Sequence, residues 1–308
     1  MFPKWAIKFF IIFGIILFTA LGVSYFVLYR LIGRRPMTSE IVAKIEESRK
    51  ELITQYDAKP VTFESCDGVK LAGLAINRVI SDGVVILCHG YHREKEHLRK
   101  YVDLFKNYDI FMFDFRACGE SEGLFSSMGC FEYNDVVAAV KYVRENFTIG
   151  RKPVILFGTS MGAASAIRAM GENPGLVDAA ILDSSYASLK GAMKDAFNHK
   201  VSYLPYMPFY YVLYGLFYAH HGEEVSKMNP ELFVSDAAVP MLFIHSSSDD
   251  FVSSQHTVRL YAKAKENATT HADLWIGPPA IHTKLYHNYP DEYRKRIREF
   301  LRKIQERF

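Results

Sequence analysis

Val154-Ile155-Leu156-Phe157 runs directly into Gly158-Thr159-Ser160-Met161-Gly162, and this junction constrains the fold more than any other stretch of the chain. Four apolar residues in a row read as a buried strand, and Ala163-Ala164-Ser165-Ala166-Ile167 beyond them reads as a helix of small residues. A G-x-S-x-G pentapeptide between strand and helix is a nucleophile elbow, a sharp turn that lifts a serine hydroxyl into the open. Its glycines have steric work to do, because side chains there would block the strained turn and the close approach of the helix.

The same alternation extends along the chain. Val61–Ser65 and Lys70–Ile76 flank Cys66-Asp67-Gly68 and predict an antiparallel hairpin with an Asp-Gly turn. Further strands are expected at Val84–Cys88, Ile110–Phe113, Ala179–Leu182, Met241–Ile244 and Ala272–Ile276. Helical patterns, such as Tyr133–Phe147 and Thr257–Lys265, separate most of them. The final segment places Tyr293, Ile297, Phe300, Leu301 and Ile304 on one helical face. Strands alternating with helices require crossover connections, hence an α/β fold with a mostly parallel central sheet covered on both faces. One interval breaks the rhythm. Asp183 to Met241 holds no strand signal but is crowded with aromatics, among them Tyr203, Tyr206, Phe209, Tyr210, Tyr214 and Phe217. An insertion at the carboxyl edge of a parallel sheet predicts a helical cap, about 185–238, over the site.

The chain's front carries a different signal. Phe9 to Tyr29 is 21 residues without a charge, about 31 Å as a helix, which matches a hydrocarbon core of about 30 Å. Trp5, Tyr25 and Tyr29 sit near its ends, with Lys4, Lys8, Arg30, Arg34 and Arg35 flanking. The run exceeds a signal peptide's apolar region and ends in bulky residues, so a retained transmembrane anchor over 1–35 and a membrane localisation are expected. The short tail leans towards an extracytoplasmic domain and the cysteines, which lack any paired framework, lean the other way. Residues 36–59 predict an amphipathic juxtamembrane helix, started by Thr38-Ser39-Glu40, and 60–308 the globular domain. The whole chain carries +3. The first 35 residues hold five Lys/Arg and no acid, which leaves −2 for the rest and argues against nucleic acid as a partner.

A serine nucleophile needs a base, an acid to orient that base, and donors for the oxyanion. For the acid, the strand at Met241–Ile244 leads into His245-Ser246-Ser247-Ser248-Asp249-Asp250, and Asp249 is the expected residue. Asp250 and Asp183 are its rivals. For the base, His282 lies in the loop before the last helix and completes the order Ser160, Asp249, His282; His287 is the runner-up. The expected oxyanion donors are the backbone N–H groups of Met161, which follows the nucleophile, and Tyr91, in the loop after Val84–Cys88. No histidine or cysteine spacing suggests a metal, and no motif implies a cofactor.

With these residues in hand, the chain resembles an α/β-hydrolase of the bacterial serine-hydrolase group (esterase, lipase or acylglycerol-lipase-like), particularly its single-pass membrane-anchored members. The matching residues are His89-Gly90-Tyr91, Asp114-Phe115-Arg116 with Gly119, Ser121 and Gly123, the elbow at Ser160, Asp249 with Val252, His282, and Tyr286, Pro290 and Tyr293. The likeness spans 60–308. Ser246 stands where the family has glycine after the strand-end histidine, and Ala117 and Cys118 replace the expected Gly and His. The resemblance implies hydrolysis of carboxylic esters, with apolar acyl or lipid-derived esters as the substrate class. An aminopeptidase or acyltransferase would use the same residues, and a catalytically inactive tethered binding protein is the reading from a different class.

Overall fold

The computed structural model describes residues 3–200, 206–268 and 270–308. Its centre is one eight-stranded sheet built from β1 (Lys59–Glu64), β2 (Lys70–Ile76), β3 (Val84–Cys88), β4 (Asp109–Phe113), β5 (Val154–Thr159), β6 (Ala179–Asp183), β7 (Met241–Ser246) and β8 (Ala272–Gly277). The spatial order is β1-β2-β4-β3-β5-β6-β7-β8. Pairing is antiparallel at β1–β2 and β2–β4 and parallel elsewhere, so β2 alone runs against the rest.

Successive strand residues point to opposite faces, and the apolar runs therefore feed two cores. Ile86, Cys88 and Leu156 join one, against the helices Glu132–Asn146 and Met161–Glu172. Val85, Leu87, Ile155 and Phe157 join the other, with Tyr101, Phe105 and the Tyr293, Ile297, Phe300, Leu301 and Ile304 face of the helix Pro290–Gln305. Both faces are covered, as a parallel sheet requires. Between β6 and β7 the chain forms the helices Leu189–Lys200, Tyr206–His221 and Glu224–Lys227 and no strand among the described residues. Phe217 is buried there and Tyr214 partly so. Tyr203 lies outside the described residues, as do the side chains of Tyr206, Phe209 and Tyr210.

The amino-terminal expectation is corrected. Among the described residues no helix is long and apolar enough to cross a membrane, so neither the transmembrane anchor nor the membrane localisation stands. The helix Lys4–Ile32 exposes Trp5, Phe9 and Phe10 near its start, but its last turns belong to the domain. Leu28 and Ile32 are buried in the core, Tyr29 packs edge-on to Phe125 with ring centres 5.8 Å apart, and Gly33 bridges to Phe125. Arg34 donates to the carbonyls of Ser121 and Gly119. A run of apolar letters does not say what covers them; here Leu28 and Ile32 are covered by the domain, while Tyr25, Phe26 and Tyr29 between and before them stay more than half exposed. The helix Ser39–Tyr56 likewise lies on the domain: Thr38 caps it, Leu52 is buried beneath it, and Arg49 donates to Glu96 at 2.9 Å and Glu120 at 2.8 Å.

Candidate active site

The elbow forms where β5 ends. Ser160 has φ 53° and ψ −119°, a left-handed conformation for a residue with a side chain, which costs about 1–3 kcal/mol. Its backbone is fixed from both sides: its N–H donates to the Asp183 carbonyl at 2.8 Å, and its carbonyl accepts the Ala164 N–H at 3.0 Å. The flanking glycines have no room for a Cβ. One at Gly158 would lie 2.6 Å from the Ala163 backbone, and one at Gly162 would fall on the carbonyl oxygens of Cys88 and His89. The helix thus starts hard against β3, with its positive dipole end at the serine.

Ser160, Asp249 and His282 come together. His282 Nε2 is 2.9 Å from Ser160 Oγ, and His282 Nδ1 is 2.7 Å from Asp249 Oδ2. The Asp249 side chain is fully buried and its other oxygen, Oδ1, accepts the Phe251 and Val252 N–H groups at 2.9 and 2.8 Å. Burial alone would raise its pKa. The hydrogen bonds from His245 and His282 and their charges outweigh that and hold the carboxyl well below the ordinary range. Asp249 is therefore ionised wherever His282 could act as a base.

The rivals have other places. Asp250 Oδ1 accepts the backbone N–H of His282 at 2.8 Å and so pins the loop rather than the ring. Asp183 is buried and satisfied by the Tyr293 hydroxyl at 2.7 Å and the Ser184 hydroxyl at 2.8 Å, with burial pushing its pKa up. His287 is exposed on the short helix Leu285–Asn288. Among the described residues, the backbone N–H groups of Tyr91 and Met161 donate to no protein acceptor, which leaves both free for an oxyanion. Gly90 lies against the serine, where a Cβ would be 3.4 Å from that of Ser160. A cavity of about 570 Å³ beside Ser188, Met228, Asn229 and Arg259 includes none of these residues.

The loops carrying Tyr91 are held by buried polar groups. His89 accepts the Phe115 N–H on Nε2 at 3.0 Å, so its proton sits on Nδ1, which donates to the Gly90 carbonyl at 2.7 Å. Burial pulls its pKa down to about 4, and the ring is neutral in this role. Asp114 accepts the Lys95 N–H and ammonium, each at 2.7 Å, and the Glu120 N–H at 2.9 Å, tying the two loops together.

Two contributors escaped the sequence reading. His245 is fully buried with Nε2 3.2 Å from Asp249 Oδ2 and 2.9 Å from the Val252 carbonyl, while Nδ1 is 2.6 Å from the Thr257 hydroxyl. Asp249 Oδ2 thus faces two imidazoles. The i, i+4 spacing across the strand end was the available signal. The second is Ser246, the departure from the glycine expected there. Its hydroxyl donates to the Ala280 carbonyl at 2.7 Å and accepts the Ala280 N–H at 2.7 Å, stitching the end of β7 to the loop that carries His282. Ser246→Ala would leave both Ala280 groups without that partner. It is expected to cost about 1–3 kcal/mol, read as a lowered midpoint in urea unfolding, with a fall in turnover as the loop loosens.

A family model described as serine aminopeptidase, S33 matches residues 80–209. The uncharacterized protein YqkD of Bacillus subtilis is 26% identical over 255 residues, covering 82% of this chain and 81% of that protein. The lysophosphatidylserine lipase ABHD12 of Danio rerio is 26% identical over 169 residues, 52% of this chain and 40% of that protein. Among solved structures, the Pyrococcus furiosus esterase Pf2001 superposes with a TM-score of 0.68 and 28% identity, over 82% of this chain and 93% of the esterase. A Pyrococcus horikoshii acylaminoacyl peptidase shares the fold at a TM-score of 0.60 and 18% identity, over 80% of this chain and 40% of the peptidase. Together with a sheet in which β2 alone runs against seven parallel strands, these likenesses make the chain a member of the α/β-hydrolase superfamily.

Proposed function

We propose that the chain is a serine hydrolase that cleaves carboxylic esters through an acyl-enzyme. The observation that carries this reading is the single imidazole of His282 set between Ser160 Oγ at 2.9 Å and Asp249 Oδ2 at 2.7 Å. Ser160 Oγ attacks the ester carbonyl carbon as its proton passes to His282 Nε2. The backbone N–H groups of Tyr91 and Met161 hold the resulting oxyanion. The acyl–oxygen bond then breaks, and His282 hands the proton to the departing alcohol. Water repeats the sequence on the acyl-enzyme, which releases the acid and returns the proton to Ser160. Asp249 keeps the Nδ1–H tautomer facing itself and stabilises the imidazolium between steps.

Hydrolysis of an amide would need the same atoms with an amine as leaving group, and the match to the serine aminopeptidase description keeps that substrate in the test. The likeness to an esterase along nearly its whole length favours the ester. The full chain is expected to hydrolyse short-chain p-nitrophenyl esters faster than aminoacyl p-nitroanilides. Ser160→Ala is expected to lower ester turnover by at least about 10³-fold. Equal rates for wild type and Ser160→Ala would remove the proposal, and faster anilide cleavage would move it to the peptidase reading.

A further inference from the structure

The segment that leaves the helix Lys4–Ile32 runs between the loops that follow β3 and β4 and is bonded to both. Along the β4 loop, the Ser126 N–H donates to the Ile32 carbonyl at 2.7 Å and the Arg34 N–H to the Leu124 carbonyl at 3.0 Å. The Arg34 guanidinium donates to the Ser121 carbonyl at 3.0 Å and to that of Gly119. Arg35 reaches the other way. Its Nη1 donates to the His92 carbonyl at 3.1 Å and lies 3.6 Å from Oε1 of the buried Glu94. Arg34, Arg35, His92, Glu94 and Gly119 line one narrow crevice, so the two arginines join the Tyr91 loop to the loop 119–126.

His92 is where the β3 loop carries backbone strain. The Arg93 N–H donates to the Gly90 carbonyl at 3.3 Å and closes a turn with Tyr91 and His92 at its centre. His92 has φ 51°, whereas Tyr91 is not among the residues of positive φ. That combination is a type II turn, whose second central position ordinarily takes glycine or asparagine. A bulkier side chain is unfavourable there. Two contacts offset this. The His92 ring stacks on that of Tyr91, with centres 3.9 Å apart and planes at 16°, and the His92 carbonyl receives the charged Arg35 donor. A return of His92 to negative φ would reopen the turn, and Tyr91 would move with it.

We propose that Arg35 is a positioning residue for the oxyanion hole: through the His92 carbonyl it holds the turn that aims the Tyr91 N–H at the reacting oxygen. A residue ahead of the globular domain thereby contributes to catalysis from outside the sheet. Removing an oxyanion donor outright costs about 10²–10³-fold in kcat. A donor that remains but is free to swing costs less, on the order of tenfold. This inference rests on the ester-hydrolase reading, with Tyr91 as one of its two donors.

The test uses the full chain, a p-nitrophenyl ester, and a trifluoromethyl ketone whose serine adduct places an oxyanion in the hole. Arg35→Ala is expected to lower kcat on the order of tenfold with KM changed by less than about twofold, and to weaken ketone binding in parallel with kcat/KM. Arg35→Lys, which keeps a charged donor, should recover most of the loss. The decisive comparison places glycine at position 92, where φ 51° carries no side-chain penalty. In a His92→Gly background, Arg35→Ala should cost several-fold less than it does in the wild type. Urea unfolding checks that each variant folds; if Arg35→Ala does not, the smaller loss in Arg35→Lys is compared across the same two backgrounds. A kcat within about twofold of wild type, a lower kcat without weaker ketone binding, or the same penalty with glycine at 92 would each overturn the inference alone. Should the wild type cleave no p-nitrophenyl ester, the ester reading fails and takes the inference with it.

Discussion

Asp249→Asn is expected to lower kcat by about 10⁴-fold in a protein that still folds. The reason lies in which oxygen does what. Oδ1 accepts the Phe251 and Val252 amides, so an asparagine must keep its carbonyl oxygen there. Its NH2 then replaces Oδ2 and faces His282 Nδ1 and His245 Nε2, both of which are donors in the native arrangement. His282 can meet an NH2 only by accepting on Nδ1, which moves its proton to Nε2. An Nε2–H pointing at Ser160 cannot take the hydroxyl proton. Asp250→Asn is the matched control. Its oxygen can go on accepting the His282 backbone N–H, and a single such bond is worth about 1 kcal/mol, so activity should fall less than about tenfold. Steady-state kinetics on a p-nitrophenyl ester separates the two neighbours; equal effects would contradict the assignment.

Gly162→Ala is expected to have the largest effect on stability, a loss of about 3 kcal/mol or more. Its Cβ would fall on the carbonyl oxygens of Cys88 and His89, which are backbone atoms locked in β3 and the loop after it. No rotamer change relieves that contact. The start of the helix Met161–Glu172 must lift from the sheet, and the Met161 N–H moves with it. Gly215→Ala supplies the contrast. It lies within the helix Tyr206–His221 with nothing among the described residues within 4 Å of the new methyl group, and removing a helical glycine should stabilise by about 0.5–1 kcal/mol. Thermal denaturation of both variants beside wild type reads the two signs directly. An unchanged midpoint in Gly162→Ala would show that the elbow does not press on β3 as described.

The strands were legible because side chains buried on two faces leave uninterrupted apolar runs. Lys70–Ile76 and Val84–Cys88 are observed with the bounds expected. Where bounds differ, the reason is chemical. β5, β6 and β7 continue past their apolar runs to Thr159, Asp183 and Ser246, and the Asp183 and Ser246 side chains find hydrogen-bond partners there. Hydropathy cannot see such residues, and they are the ones that shape the site. Chain order likewise pointed to Asp249 and His282, but the second imidazole on Asp249 depends on how β7 turns into the next segment. The amino-terminal helix misled for a related reason. Its composition met every requirement for a bilayer, while the burial of Leu28 and Ile32 against the domain is a tertiary fact that no window of residues contains.

The most direct measurement is intact-mass and peptide mapping after treatment with a fluorophosphonate, which reacts only with an activated serine. The account predicts a single phosphonyl adduct on Ser160 in the wild type, and loss of that adduct in His282→Ala although the serine remains. An adduct on another residue, or equal labelling without the His282 imidazole, would contradict it.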